Sequence, residues 1–149
     1  MNRRSWLLAI SLGLLGFIIG GLVFYKDTVL LLKNEKHEWV FPKGVIRSVE
    51  RPDEVATERV AYEAGVSAVV LTPAGRTNYE FYSVTRQRPV CNKIIWYIMQ
   101  SDSDKVVANT AQNFTDGRFF PIKEALDKVT YSQDKSLLMM SYQRYKELV

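Results

Sequence analysis

Between Phe41 and Val66 the chain gathers side chains suited to handling charge: Glu50, Asp53, Glu54, Glu58 and Glu63 as oxygen donors, with Lys43 and Arg59 among them. Hard divalent cations such as Mg²⁺ are held by several oxygens converging on one point. A helix supplies such convergence from positions i, i+3 and i+4, which share a face. Pro52 suits the first helical turn, where its missing N–H goes unused, and the acidic Asp53-Glu54 favour the positive end of the helix dipole. Gly65 is a natural stop, because glycine adopts the left-handed conformation that ends helices. The helix is therefore expected over about Asp53 to Ala64, with Val55, Ala56, Val60 and Ala61 available to face a core. On it Glu54 and Glu58 share a face. Glu63 lies well round the cylinder from both, since one residue is a rotation of about 100°.

The positions of Gly44, Glu50, Val60, Glu63, Gly65 and Val66, led in by Phe41-Pro42-Lys43, resemble the Nudix box. That pattern is a Gly, five residues, a Glu, seven residues, then Arg-Glu-apolar-any-Glu-Glu-any-Gly-apolar. Here the Arg-Glu pair stands reversed as Glu58-Arg59, and Tyr62 replaces the first Glu of the Glu-Glu pair. Arg47 stands where a Glu is common and Val49 where a Gly usually is. The resemblance implies an α/β fold, a Nudix α/β/α sandwich with a central mixed β-sheet, running from about residue 18 to the C-terminus. It implies hydrolysis of a nucleoside diphosphate linked to another group, with Mg²⁺ or Mn²⁺ neutralising the pyrophosphate and activating water. The metal-holding helix positions fall on Arg59, Tyr62 and Glu63, so Glu63 alone keeps a carboxylate there. Glu63 is thus the expected catalytic residue, with Glu50 and Glu58 as auxiliaries. The Gly44 carbonyl, Glu63 and Asp116 are the expected metal ligands. The competing expectation is a non-catalytic module that keeps the cleft for a nucleotide or polyphosphate and has lost the cation.

The rest of the chain reads as alternating strands and helices. Leu22 to Tyr25 and Thr28 to Lys33 flank a Lys26-Asp27 turn as a hairpin, and Trp39 to Phe41 form a short strand ending at Pro42. Strands are expected at Ser67 to Thr72, Asn78 to Thr85 and Lys93 to Gln100, with Pro73-Ala74-Gly75 a turn after the first. Lys93 to Met99, and Asp116-Gly117-Arg118-Phe119-Phe120-Pro121-Ile122, resemble late strands of the dinucleoside-polyphosphate and diphosphoinositol-polyphosphate type. A short helix at Lys123 to Leu126 follows. A last helix is expected over Gln133 to Leu148, capped by Ser132 and apolar at Leu137, Leu138, Met140 (or Met139), Tyr142 and Tyr145.

Arg76, Arg86, Arg88 and Lys93 interleave with Tyr79, Phe81, Tyr82 and Tyr97. Cations bind phosphate and aromatic faces stack bases, so Lys43, Arg76, Arg86, Arg88 and Tyr79 are candidate contacts to a small nucleotide or polyphosphate. The alternative is a strand pair with aromatics in the core and solvated charges. No nucleic-acid module is recognisable.

Composition fits one domain: 149 residues, 47% hydrophobic, 24% charged, net charge +4, enough for one sizeable core. The lone Cys91 excludes an internal disulfide and fits a reducing, cytoplasmic setting. The N-terminus competes with that picture. Arg3-Arg4 precede an uncharged run from Trp6 to Tyr25, long enough to span a bilayer. If Ile18 to Tyr25 is the first strand, residues 1–17 remain as an apolar extension. That extension either touches a membrane or a partner through residues 5–17, or adds a buried element to the domain.

Overall fold

The computed structural model describes residues 18–46 and 50–149, with Tyr79, Phe81 and Val90 in backbone only. Arg47, Val49 and the apolar run 1–17 lie outside the described residues. A mixed seven-stranded sheet forms the centre. β1 (Ile18–Tyr25) lies in its middle, beside β2 (Thr28–Lys33), β3 (Trp39–Val40), β4 (Lys43–Val45), β5 (Ala68–Ser83), β6 (Arg88–Ser101) and β7 (Asp116–Pro121). Neighbours run β3-β2-β1-β6-β5, with β4 paired to β1 and β7 to β2. β1 and β6 are parallel and the other pairs antiparallel.

Ile18 to Phe24 are buried throughout, as a central strand with both faces covered must be. The Lys26-Asp27 turn joins it to β2, Lys26 taking φ 52°. α1 (Pro52–Ala64) covers one face of the sheet, and α2 (Ile122–Lys128) and α3 (Ser132–Leu148) cover the other. The first core contains Ile19, Val23, Leu30, Val60 and Met99. The second holds Leu22, Phe24, Phe41, Trp96, Leu138 and Tyr145. This is the expected α/β/α sandwich.

Three local expectations give way. Pro73 to Gly75 is no turn: β5 runs through it, with register irregularities between Val70 and Thr72 and between Pro73 and Gly75. β5 ends the strand order, so the N–H that Pro73 lacks and the extra residues of a bulge are tolerated there. Ser132 does not cap α3, whose N-cap is Tyr131 with no side-chain capping bond to the helix. Met139 and Met140 stay exposed. The buried stripe of α3 is Leu137, Leu138, Ser141 and Tyr145, a spacing of four that points a small hydroxyl inward where a methionine was expected. Tyr145 stacks on Phe24 at 4.6 Å.

Candidate functional site

α1 begins at Pro52, with Arg51 in extended conformation before it and Asp53 and Glu54 in its first turn. Arg51 reaches both acids, at 3.2 Å and 3.7 Å, so the helix start is held by exposed charges. Gly65 ends it at φ 64° and donates its N–H to the Ala61 carbonyl. Between these ends two rows face the sheet. Ala56, Val60 and Ala64 form an ordinary apolar row. Val55, Arg59 and Glu63 form the other, and all six are buried. Burial of the last two charged residues was not foreseen, and Ala61, expected to face the core, is exposed.

Arg59 and Glu63 pair across one helical turn, Nη2 to Oε1 at 3.6 Å, with side chains only 11% and 4% exposed. The Arg59 stem lies against the backbone of Gly44, so that a Cβ there would run into Arg59 Cγ, Cδ and Nε. Glycine at 44 leaves the space that the close approach of the arginine uses. The Arg59 guanidinium also lies 5.0 Å from the centre of the Tyr62 ring, a cation–π distance. Tyr62 is braced from the segment before β7. Its hydroxyl accepts from Gln112 Nε2 at 3.1 Å and its carbonyl from Asn109 Nδ2 at 2.9 Å. The Asn109 N–H donates to the Glu63 carbonyl at 2.9 Å.

Burial pushes the Glu63 carboxyl up from 4.5 to about 7, opposed by the Arg59 charge and by the Lys43 N–H and ammonium. Glu63 Oε2 is buried and, among the described residues, has no hydrogen-bond partner. On the other side of β4, burial lowers the Lys43 ammonium against the opposing charges of Asp134, Glu63 and Glu38. Burial raises Asp134 in α3, opposed by Lys43. Neither Asp134 nor the Asn109–Gln112 brace carried any signal in the sequence, because each depends on contacts between distant segments.

Of the residues singled out from sequence, the fold thus brings Lys43, Gly44 and Glu63 together. Glu50 is half-buried just before α1, and Glu58 is exposed on the solvent side of the helix. Asp116 opens β7 and bonds Arg118 at 2.9 Å and the Gly117 N–H at 2.7 Å. Arg118 holds its carboxyl below the usual range. Arg76 is exposed on β5, in one row with Gly44 through Ile95 and Ile19. Arg86 sits in the turn at the far end of the β5–β6 ribbon, and Arg88 opens β6 opposite Ser83. Arg88 is six residues from Ile94, which pairs with β1, so it lies on the order of 20 Å outward along the strand. Tyr79 lies on β5 opposite Asn92, and its side chain lies outside the description.

A divalent cation needs about six oxygens at roughly 2.0–2.6 Å. This site offers one free carboxylate oxygen, beside a guanidinium already seated against Gly44 and Glu63. No group of three His, Cys, Asp or Glu that could hold a metal ion occurs among the described residues. The residues present do not fit the metal that Nudix hydrolases generally use.

The fold and the box frame define the class. Residues 17–140 match the NUDIX domain model, and the chain belongs to that family. Among solved structures it is similar to a C. elegans Ap4A hydrolase in a binary complex, at 14% identity and TM-score 0.69, covering 89% of this chain and 98% of that one. It is also similar to a MutT protein from Methanosarcina mazei, at 17% identity and TM-score 0.67, covering 88% and 95%. A third is the E. coli dihydroneopterin triphosphate pyrophosphohydrolase, at 14% identity and TM-score 0.64, covering 82% and 91%. At these identities the likeness is one of fold. No helix among the described residues is long and apolar enough to cross a membrane.

Proposed function

We propose that this protein recognises a nucleoside diphosphate joined to a second group, such as a dinucleoside polyphosphate, without hydrolysing it through a protein-bound metal. The observation that carries this reading is the buried Arg59–Glu63 pair on the face of α1 where the family holds its cation. The names of similar structures, an Ap4A hydrolase and a dihydroneopterin triphosphate pyrophosphohydrolase, supply the ligand class, since both compounds contain phosphoanhydrides. Lys43, beside the box glycine, is one cation offered to a phosphate. Arg76, in the same sheet row as Gly44, is another. Arg86, Arg88 and Tyr79 would serve only a ligand extending along the ribbon.

A second reading is residual pyrophosphohydrolase activity, favoured by one observation. A carboxyl poised at about 7, with Oε2 unbonded among the described residues, has the acidity a general base needs near neutral pH. Glu63 would then be the base, with Glu50 as auxiliary; Glu58 and Asp116 stand apart from it. Calorimetric titration with dinucleoside polyphosphates in EDTA, beside turnover assays with Mg²⁺ and Mn²⁺, separates the two. Binding without turnover supports the first reading, and metal-dependent cleavage abolished in Glu63→Gln supports the second. The cytoplasmic location rests on Cys91 alone, and contact of residues 5–17 with a membrane remains a separate proposal tested by vesicle flotation.

A further inference from the structure

We infer that Arg59 is a resident cation: its guanidinium occupies the seat a divalent ion takes in this fold and ties β4 to α1 at Gly44 without metal. Four observations converge. The arginine stem fills the space over Gly44 that a Cβ would need. The guanidinium meets Glu63, the one carboxylate kept on that helix face, at 3.6 Å. Tyr62 supplies an aromatic wall 5.0 Å from the charge. That wall is fastened by Asn109 and Gln112, so it is a built part of the seat. A bound divalent ion gathers oxygens from loop and helix onto one point. Here one delocalised positive charge, fixed covalently to the helix, lies among the same backbone glycine and the same glutamate. Arginine suits the position because its guanidinium is charged at every accessible pH, is weakly hydrated and stacks on aromatic rings.

The inference deepens the functional reading above and rests on it only for the ligand. If Mg²⁺ carried in by a diphosphate ligand supported turnover in the wild type, the binding-only reading would fall while the Arg59 seat stood. Mn²⁺ held at Glu63 in the ligand-free protein would overturn the seat itself.

The test uses the full chain, ligand-free, with Mn²⁺ as probe. Wild type should show no Mn²⁺ site dependent on Glu63 in calorimetry or electron spin resonance, and its thermal midpoint should be the same in EDTA and in Mn²⁺. Arg59→Glu with Tyr62→Glu places carboxylates at 59, 62 and 63, and should tighten Mn²⁺ affinity roughly tenfold or more. Its midpoint should become metal-dependent. Arg59→Gln should lower the midpoint and Arg59→Lys should recover part of the loss. Mn²⁺ binding by wild type that Glu63→Gln abolishes overturns the proposal. So does a folded double variant with no gain in Mn²⁺ affinity, or Arg59→Gln as stable as wild type. If the double variant does not fold, the wild-type and Glu63→Gln titrations, with Arg59→Gln, still decide.

Discussion

The two faces of β4 hold buried charge in different ways. On the α1 face, Arg59 and Glu63 come from one helix, four residues apart, and meet whenever that helix forms. On the α3 face, Lys43 shares its surroundings with Asp134, ninety-one positions later, and it also feels Glu63 and Glu38. The first pair is local in sequence, although Lys43 also acts on Glu63. The Lys43–Asp134 approach exists only because α3 docks against the sheet through Leu137, Leu138 and Tyr145. A buried charge near a partner costs little only while the partner stays, because an uncompensated ion in the interior loses its hydration. The local pair should therefore behave as a fixture, and the long-range group as a reporter of how α3 is seated.

Breaking the fixture should have the largest effect. Arg59→Gln leaves Glu63 buried without its cation, and is expected to cost about 3–5 kcal/mol, read from urea unfolding near neutral pH. A loss under 1 kcal/mol would mean the pair contributes no more than a surface bridge does. The docking of α3 is tested next by Leu138→Ala. Leu138 is fully buried, so the loss should be about 2–5 kcal/mol. Met140→Ala, on the exposed side, should stay within about 0.5 kcal/mol. Equal effects at the two positions would mean the helix is rotated from the stripe described.

The pH dependence sharpens the same comparison. Glu63 has a folded pKa of about 7 against an ordinary 4.5. Its carboxyl is protonated in both states at low pH, so its contribution is fully present below about 4.5 and lost as pH rises through 7. At about 1.4 kcal/mol per unit, the loss approaches 3 kcal/mol across that window. Glu63→Gln should remove this part, and Asp134, raised by burial as well, should account for a smaller slope of the same sign. A wild-type slope unchanged by Glu63→Gln would assign the titration elsewhere. A smaller effect than breaking the pair is expected of Gly44→Ala, whose Cβ must displace the Arg59 stem. An overpacking cost of about 1–3 kcal/mol is expected. If it is instead neutral, the arginine has room to move aside and is less firmly seated than the contacts imply.

Much of the fold was legible because periodicity and punctuation are local. The hairpin at Lys26-Asp27 and one of the two readings of Ile18 to Tyr25, as a first strand, match β1, and Pro52 and Gly65 bounded α1 by backbone chemistry alone. The candidate site was legible in part. Gly44, Lys43 and Glu63 were chosen by spacing and do meet. Glu58, named as an auxiliary on the same helix, is exposed to solvent, and Asp116, named from the resemblance of its late strand, bonds Arg118. Spacing along a chain says which residues share a face. It does not say which face another element covers.

By itself, then, the sequence determined the box frame, the helix that carries it and the replacement of two of its three helix ligand positions by Arg59 and Tyr62. Only the tertiary structure decided what that replacement does. Arg59 faces inward because α1 lies against β4 at a glycine, and Tyr62 is a wall because Asn109 and Gln112 reach it from nearly fifty residues away. Tertiary contact likewise turned Pro73 to Gly75 from a turn into a bulge and placed Ser141, not Met140, against the sheet. Local chemistry sets which conformations are cheap. Burial and close approach between distant segments choose among them, and those have no signature along the chain.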